Sequence, residues 1–229
     1  MVFMRYYPVN LDILNRKCLV VGGGSVGTRK VITLLDCGAI VTVVSPDITE
    51  KLLELAGNGS ITWEKRSYLV SDLDTMFLVI GATNDEELNR QISADAEKIN
   101  LLCNIADRPK VCNFILPSIV NRGDLVISIS TSGKSPAFAK KLRKELEKQF
   151  GEEYAEFLRL MGAIRKKLLR KKHQPEVHKH FFEQLINSSL IEMIKNNKKE
   201  DINSLLFEIF GKGYDFESLM KTGGTTRPI

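Results

Sequence analysis

Residues 17–30 read Lys-Cys-Leu-Val-Val-Gly-Gly-Gly-Ser-Val-Gly-Thr-Arg-Lys, and this stretch decides the fold. The apolar run Leu19–Val21 indicates a short strand, and apolar residues recur at helical spacing after the glycines. Gly22, Gly24 and Gly27 fit the G-x-G-x-x-G pattern of dinucleotide-binding folds. The sequence therefore predicts a strand, a tight turn and a helix whose N-terminus binds a pyrophosphate. A purely structural glycine turn is the alternative.

Further segments continue this alternation of strands and helices. Apolar or β-branched runs predict strands at 40–44, 61–65, 76–80 and 101–104. A helix is expected over 86–98. Two extended segments, beginning at Asn113 and Leu125, are joined by a turn-rich connector, and a helix follows from Pro136 to Phe150. From Gly151 onward the pattern is helical throughout.

The segment after the second strand bears on the choice between NAD and NADP. In many NAD-binding folds an acidic residue ends this strand and binds the ribose hydroxyls, but Val44 and Ser45 occupy that point here. Either Asp47 or the backbone could take over the contact. Asp47 and Glu50 also fit a capping box for the next helix. No arginine stands there to bind a 2′-phosphate, which favours NAD.

A second turn of small residues, Gly81–Asp85, follows the fourth strand, where a doubly wound sheet presents loops to its ligand. The plain alternative is a strand-to-helix turn in which Asn84 or Asp85 caps the helix, and both can hold together. The candidate cofactor-binding residues are Gly22, Gly23, Gly24, Ser25, Val26, Gly27, Ser45, Pro46, Asp47, Ala82, Thr83 and Asn84.

Composition bounds the setting of the protein. The 229 residues, 43% of them apolar, are enough for one substantial core and a smaller unit. The four cysteines form no C-x-x-C pair, which favours a reducing, cytoplasmic setting. No apolar run is long enough to cross a bilayer, so we expect no membrane segment. A net charge of +5 favours anionic partners.

Six segments together point to a family. They are Tyr7-Pro8-Val9-Asn10-Leu11, Val21–Lys30, Ala82-Thr83-Asn84-Asp85, Cys103-Asn104 with Asp107, Phe114-Ile115-Leu116-Pro117-Ser118 and Ser130–Pro136. In this order, over roughly the first two thirds of the chain, they resemble the precorrin-2 dehydrogenase/sirohydrochlorin ferrochelatase family, the N-terminal module of sirohaem synthases.

The resemblance implies an α/β fold class: a Rossmann-type parallel sheet, then a small α+β dimerisation region and an all-helical C-terminal domain. The expected bounds are 1–113 for the NAD-binding domain, 114–150 for the dimerisation region, 151–222 for the helical domain and 223–229 for a frayed tail. It also implies an intertwined homodimer with an active cleft between these parts.

The resemblance further implies a reaction in which NAD⁺ takes a hydride from precorrin-2 to give sirohydrochlorin. In bifunctional members the same cleft inserts Fe²⁺ to give sirohaem. The expected cofactor is therefore NAD. The expected ligands are precorrin-2 and sirohydrochlorin, with Fe²⁺ as a possible substrate, and no nucleic acid or membrane partner is expected.

Asp107 is the candidate catalytic residue by match to the family motif, because one carboxylate could accept protons in both steps and attract Fe²⁺. Its alternative is a turn-forming aspartate before Arg108 and Pro109. The three histidines lie in the C-terminal part, and no resident metal is expected.

Because the tetrapyrrole carries several carboxylates, cationic and polar residues could bind it. The candidate substrate-binding residues are Arg108, Lys110, Ser130, Thr131, Ser132, Gly133 and Lys134.

Two other functions stay open. The chain could be a dehydrogenase without chelatase activity, since Asp107 permits metal insertion without proving it. It could instead be a non-catalytic regulator that binds NAD or a tetrapyrrole and touches nucleic acid through the basic run Arg165–Lys172. No aromatic interleaving or helix-turn-helix pattern supports the regulator.

Overall fold

The computed structural model describes residues 5–106, 108–170 and 175–222, without the side chains at 109, 175–177 and 222. Asp107, His173 and the predicted tail 223–229 lie outside the described residues. Contacts divide the chain into two compact units, Met1–Leu116 and Pro117–Ile229.

The first unit is built on a parallel sheet of five strands in the order β3-β2-β1-β4-β5. The strands are β1 (Lys17–Gly23), β2 (Ile40–Ile48), β3 (Ile61–Glu64), β4 (Leu78–Gly81) and β5 (Leu102–Ile105). The connecting helices are α1 (Ser25–Asp36), α2 (Glu50–Gly57) and α3 (Glu86–Lys98). The strand order reverses between β1 and β4, and doubly wound folds bind their ligands at the carboxyl ends of strands at such a point.

Strand β1 is buried on both faces, as a central strand of a parallel sheet requires. Cys18 and Val20 pack with Val31 of α1 on one face. Leu19 packs with Ile92 of α3 on the other. The apolar run that predicted this strand therefore supplies both halves of the core, and the predicted α/β fold class is confirmed.

The second unit begins with an antiparallel hairpin of β6 (Ser118–Arg122) and β7 (Leu125–Ile129), which turns at Gly123 with φ +63°. Arg122 ties the hairpin to the end of α4 (Pro136–Gln149), because its Nε donates to the Phe150 carbonyl at 2.8 Å. The remaining helices are α5 (Glu153–Leu169), α6 (Pro175–Ile186), α7 (Leu190–Lys195), α8 (Lys199–Phe210) and α9 (Phe216–Thr222).

The helical core lies along α5, as its apolar spacing predicts. Phe157, Leu160, Ile164 and Leu168 are buried there, in one cluster with residues of α6 to α9. One prediction was wrong: the strand expected from Asn113 begins only at Ser118. Asn113 instead lies beside β5, because its side-chain Oδ1 accepts the Cys103 N–H at 2.7 Å.

A bidentate ion pair fixes the segment that follows β3. Arg66 Nη1 and Nη2 donate to the two carboxylate oxygens of Asp72 at 2.9 and 2.7 Å, and the Leu69 N–H donates to Asp72 Oδ2 at 2.8 Å. Burial raises the pKa of the Asp72 carboxyl, but the hydrogen bonds from Arg66 and Leu69 outweigh burial, so the pKa is lowered. A pKa that is lower in the folded than in the unfolded protein stabilises the fold above the unfolded pKa.

We expect Asp72→Asn to lower the melting temperature at pH 7 by roughly 2–8 °C, because it removes charge-assisted hydrogen bonds. The difference from the parent protein should shrink as the pH falls through the lowered pKa of Asp72, where the parent carboxyl is protonated too. Thermal unfolding at pH 7 and near pH 3 measures this, with Asp74→Asn, at an exposed position of the same segment, as the control. Equal melting temperatures for both variants at pH 7 would contradict the expectation.

Candidate functional site

The glycine turn at the end of β1 has no room for a side chain at three of its four glycines, Gly22, Gly23 and Gly27. Gly22 has φ +110°, and a Cβ there would collide with the Ala82 carbonyl in the turn after β4. A Cβ on Gly27 would collide with the Gly22 carbonyl, so α1 can approach β1 this closely only with glycine. These are the turn and packing roles that the motif predicts for its first and third glycines.

Gly24 stands in open space instead. It is exposed, and a Cβ added to it would meet no atom of the described protein within 4 Å. Gly24 is the N-cap of α1 and supplies no side-chain cap, and the first turn of the helix holds no acidic residue. The Ser25, Val26 and Gly27 N–H groups precede the first helical hydrogen bond, from the Thr28 N–H to the Gly24 carbonyl at 2.9 Å. The turn therefore fits a pyrophosphate at the helix N-terminus.

Ser45 supports this turn from inside the protein. Its side chain is buried, its Oγ accepts the Gly23 N–H at 3.0 Å, and the same hydroxyl donates to the Asp47 carbonyl at 2.6 Å. The structure thus uses the Ser45 hydroxyl and the Gly23 N–H for internal bonds that join the ends of β1 and β2. A direct contact of either residue with the cofactor stays a prediction.

Strand β2 is longer than the sequence predicts, and this changes the place of Asp47. Gly23 pairs with Ile48 beyond an irregularity in the ladder, so Asp47 is the penultimate residue of the strand. The predicted capping box is wrong: Thr49 is the N-cap of α2, and its Oγ1 accepts the Leu52 N–H at 3.4 Å. Asp47 and Pro46 are both exposed at the carboxyl edge of the sheet.

The turn after β4 lies against the glycine turn. The Ala82 N–H donates to the Val21 carbonyl at 2.8 Å, and Ala82 and Thr83 are half-buried while Asn84 is exposed. Asp85 caps α3, since its Oδ1 accepts the Glu87 and Leu88 N–H groups at 2.9 and 3.1 Å. The turn therefore presents small residues at the site and starts a helix at the same time.

Asn89 is a supporting residue that the sequence analysis missed. It is 5% exposed, its Nδ2 donates to the Thr83 carbonyl at 2.9 Å, and its Oδ1 lies 3.0 Å from Thr83 Oγ1. The buried Asn89 amide thus fixes the turn after β4 through the backbone and the side chain of Thr83. The signal in the sequence was a polar residue one turn before Ile92 on the buried face of α3.

The loop after β5 begins at the same edge of the sheet, because the Ala106 N–H donates to the Gly81 carbonyl at 2.8 Å. Arg108 is half-buried and forms an ion pair with Glu86 in the first turn of α3. Lys110 is exposed. Asp107 precedes Arg108 in the chain but lies outside the described residues. Its catalytic role therefore stays a prediction that rests on the match to the family motif.

The other candidate substrate-binding residues belong to the second unit, in the loop between β7 and α4. Ser132 and Gly133 have φ +52° and +78°, and the Lys134 N–H donates to the Thr131 carbonyl at 2.9 Å. Ser130 Oγ accepts the Ser132 N–H at 3.1 Å. The loop is thus ordered by its own hydroxyl and carbonyl groups, and Lys134 is exposed.

The described residues contain neither a cluster of metal ligands nor a membrane-spanning helix. Within the ranges given above, no group of three His, Cys, Asp or Glu side chains is arranged to hold a metal ion. Over the same part of the chain, no helix is long and apolar enough to cross a membrane.

The sheet and its glycine turn define a dinucleotide-binding protein of the doubly wound class. A family model described as "Putative NAD(P)-binding" matches residues 9–118, and one described as "Sirohaem biosynthesis protein central" matches residues 122–149. These two matches confirm the resemblance to the family of precorrin-2 dehydrogenases and sirohaem synthase N-terminal modules.

Relatives and a solved structure agree with this resemblance. The siroheme synthases of Nitrosococcus oceani and Methylococcus capsulatus are 36% and 31% identical to this chain over 203 and 205 residues. These alignments cover 89% and 90% of this chain but 43% of each relative, so the chain spans less than half their length. The structure of SirC, precorrin-2 dehydrogenase, is 26% identical with a TM-score of 0.76, and the match covers 89% of this chain and 98% of that chain.

The glycines predict two separable effects. We expect Gly24→Ala to raise the Kd for NAD⁺ about tenfold while leaving the melting temperature within a few degrees, because its Cβ enters only open space. Gly27→Ala should lower the melting temperature by roughly 4–8 °C, because its Cβ overlaps backbone. Calorimetric NAD⁺ titration and thermal unfolding measure both effects. Gly57→Ala, equally open at the end of α2, is the control and should change neither. Unchanged NAD⁺ affinity in Gly24→Ala would contradict the assignment of the site.

Proposed function

We propose that this protein binds NAD⁺ at the glycine turn and oxidises precorrin-2 to sirohydrochlorin in sirohaem biosynthesis. The observation that carries the proposal is the position of this turn beside the turn after β4, at the reversal of strand order, with the loop that leads to position 107 starting from the same edge. The names of SirC, precorrin-2 dehydrogenase, and of the siroheme synthases support the choice of substrate.

Each candidate residue has a defined part in this proposal. The N–H groups at the start of α1 bind the pyrophosphate, and exposed Asp47 binds the ribose hydroxyls, which favours NAD over NADP. NAD⁺, when bound, supplies the hydride acceptor. The Ala82–Asn84 turn supports the cofactor beside Gly22, and the Asp107 carboxylate accepts the proton that leaves the substrate.

The cationic residues near the loop bind the substrate's acidic side arms. Arg108 is paired with Glu86, whose side chain is 60% exposed, and exposed ion pairs contribute about 0–1 kcal/mol. A substrate carboxylate can therefore replace Glu86 as the partner of Arg108 at little cost. Lys110 is exposed and adds a second cation on the same loop. Ser130–Lys134 remain candidate substrate-binding residues by their match to the family motif alone.

Insertion of Fe²⁺ into sirohydrochlorin is the second part of the proposal. Metal insertion requires the loss of two pyrrole protons, and the carboxylate that accepts a proton in the oxidation can accept these as well. Iron is a substrate in this step. The support is the match of Asp107 to the family motif.

A homodimer and a cytoplasmic location also remain part of the proposal. The hairpin and α4 expose the apolar side chains of Ile119, Val126 and Phe138, which are 40%, 47% and 50% exposed in the single chain. Such side chains on neighbouring elements favour contact with a second copy. Sedimentation equilibrium, which gives the mass in solution, tests the dimer.

The proposed reaction is tested by anaerobic incubation of the protein with precorrin-2 and NAD⁺, followed by addition of Fe²⁺. We expect NADH absorbance, the sirohydrochlorin spectrum and then the sirohaem spectrum. Asp107→Asn should lower kcat of the oxidation by about 100-fold or more at unchanged Kd for NAD⁺, because it removes a general base. Asp36→Asn, at the far end of α1 from the glycine turn, is the control and should keep the parent rates.

The outcomes separate the competing functions. NADH without any sirohaem would identify a dehydrogenase that lacks chelatase activity. Absence of NADH would contradict the proposal, and steeply salt-dependent DNA binding in that case would favour the regulator.

A substitution at Asp47 tests the proposed preference for NAD over NADP. We expect Asp47→Asn to raise KM for NAD⁺ about fivefold and to raise the ratio of kcat/KM for NADP⁺ to that for NAD⁺, because the carboxylate binds ribose hydroxyls and repels a 2′-phosphate. Initial rates with both cofactors measure this, and Asp36→Asn again serves as the control. The same ratio in Asp47→Asn as in the parent protein would show that the backbone, and not Asp47, selects the cofactor.

A further inference from the structure

The loop after β5 is closed by a cysteine thiol. Cys112 is 8% exposed, and its Sγ accepts the Ile105 N–H at 3.1 Å. The same sulfur lies 3.1 Å from the Arg108 carbonyl oxygen, to which it donates its proton. Burial raises the pKa of this thiol more than the bond from Ile105 lowers it, so the thiol keeps its proton at neutral pH. Cys112 thus bonds to the residues on both sides of positions 106 and 107.

The chain that returns from the loop is fixed independently. Asn113 Oδ1 accepts the Cys103 N–H at 2.7 Å, and its Nδ2 donates to the Leu101 carbonyl at 2.7 Å. Asn104 Nδ2 donates to the Phe114 carbonyl at 3.0 Å. The residues that follow Cys112 are therefore attached to β5. Cys112 itself bonds to the residues at the start of the loop, Ile105 and Arg108.

Cys103 provides the comparison for a cysteine that only fills the core. It is 2% exposed on β5 and belongs to the same apolar cluster as Cys112. No hydrogen bond from its sulfur to the loop is found within the part of the chain that the structure describes. Two buried thiols thus lie in one cluster, and the one at position 112 has backbone partners on the loop.

We propose that Cys112 is a positioning residue, whose thiol fixes the backbone of Ile105 and Arg108 and so controls how the loop after β5 presents its residues to the substrate. This inference rests on the proposed function. A displacement of a reacting group by about 1 Å can lower a rate by up to 100-fold, so a side chain with no contact to substrate can control kcat.

The first test follows the loop without any reaction. Cys112→Val keeps an apolar side chain of similar size but removes the donor and the acceptor, and we expect the Ile105 amide to exchange with deuterium about fivefold faster than in the parent protein. Cys103→Val, the matched control in the same cluster, should leave that exchange rate unchanged. Unchanged Ile105 exchange in Cys112→Val would overturn the inference whether or not the protein oxidises precorrin-2.

The second test follows the reaction, with kcat and KM measured on samples whose folded fraction is known. Cys112→Val should lower kcat for precorrin-2 oxidation about tenfold and leave KM for NAD⁺ within twofold. Cys112→Ser, which keeps a donor and an acceptor, should restore at least half of the parent kcat, and Cys103→Val should match the parent. A kcat within twofold of the parent in Cys112→Val, or an equal loss in Cys103→Val, would overturn the inference. Failure of the parent protein to form NADH would instead count against the proposed function, and amide exchange would still decide whether the thiol orders the loop.

Discussion

The close approach of three backbone segments at the reversal of strand order is the constraint on which the first unit depends. The Ala82 carbonyl leaves no room for a Cβ on Gly22, and the Gly22 carbonyl leaves no room for a Cβ on Gly27. This contact brings α1, β1 and the turn after β4 together at one edge of the sheet. Gly24 is the contrasting position, because a Cβ there would meet no atom of the described residues within 4 Å. At the N-terminus of α1, in the motif typical of dinucleotide-binding folds, an open glycine fits a ligand that approaches the backbone closely.

The loops around this edge are held by small polar side chains that bond inward. Ser45 joins β1 to β2, Asn89 holds the turn after β4, and Asn113 with Cys112 holds the loop after β5. Each of these groups satisfies backbone atoms that would otherwise need water, and so fixes the loop at a defined place. The exposed groups, such as Asp47, remain available for ligands. Polar groups that bond inward and polar groups that remain exposed thus belong to different residues of the same loops.

The sequence predicted most of the strands and helices, but it predicted fewer of the contacts that hold the loops around the candidate site. Periodicity identified β1, the buried face of α5 and the full length of α3, because in each the pattern and the burial have the same cause. It missed the extension of β2 to Ile48 and the late start of β6 at Ser118. Both depend on contacts between distant residues: Gly23 with Ile48, and Asn113 with Cys103. Local propensity carries no information on such pairs, and the roles of Ser45, Asn89 and Cys112 were missed for the same reason.

The residue types of the helices after 150 are determined by apolar packing more than by a binding or catalytic role. Neither family model extends past residue 149, yet the match to SirC covers 89% of this chain, more than the preceding residues could supply. The helical part therefore belongs to the shared fold although it lacks a recognisable motif. Its buried residues, such as Leu160, Ile164 and Leu206, require only apolar side chains of suitable size, and many sequences meet that condition. Glycines under steric constraint accept no such exchange, so the first unit carries a recognisable glycine motif and the helices after residue 150 do not.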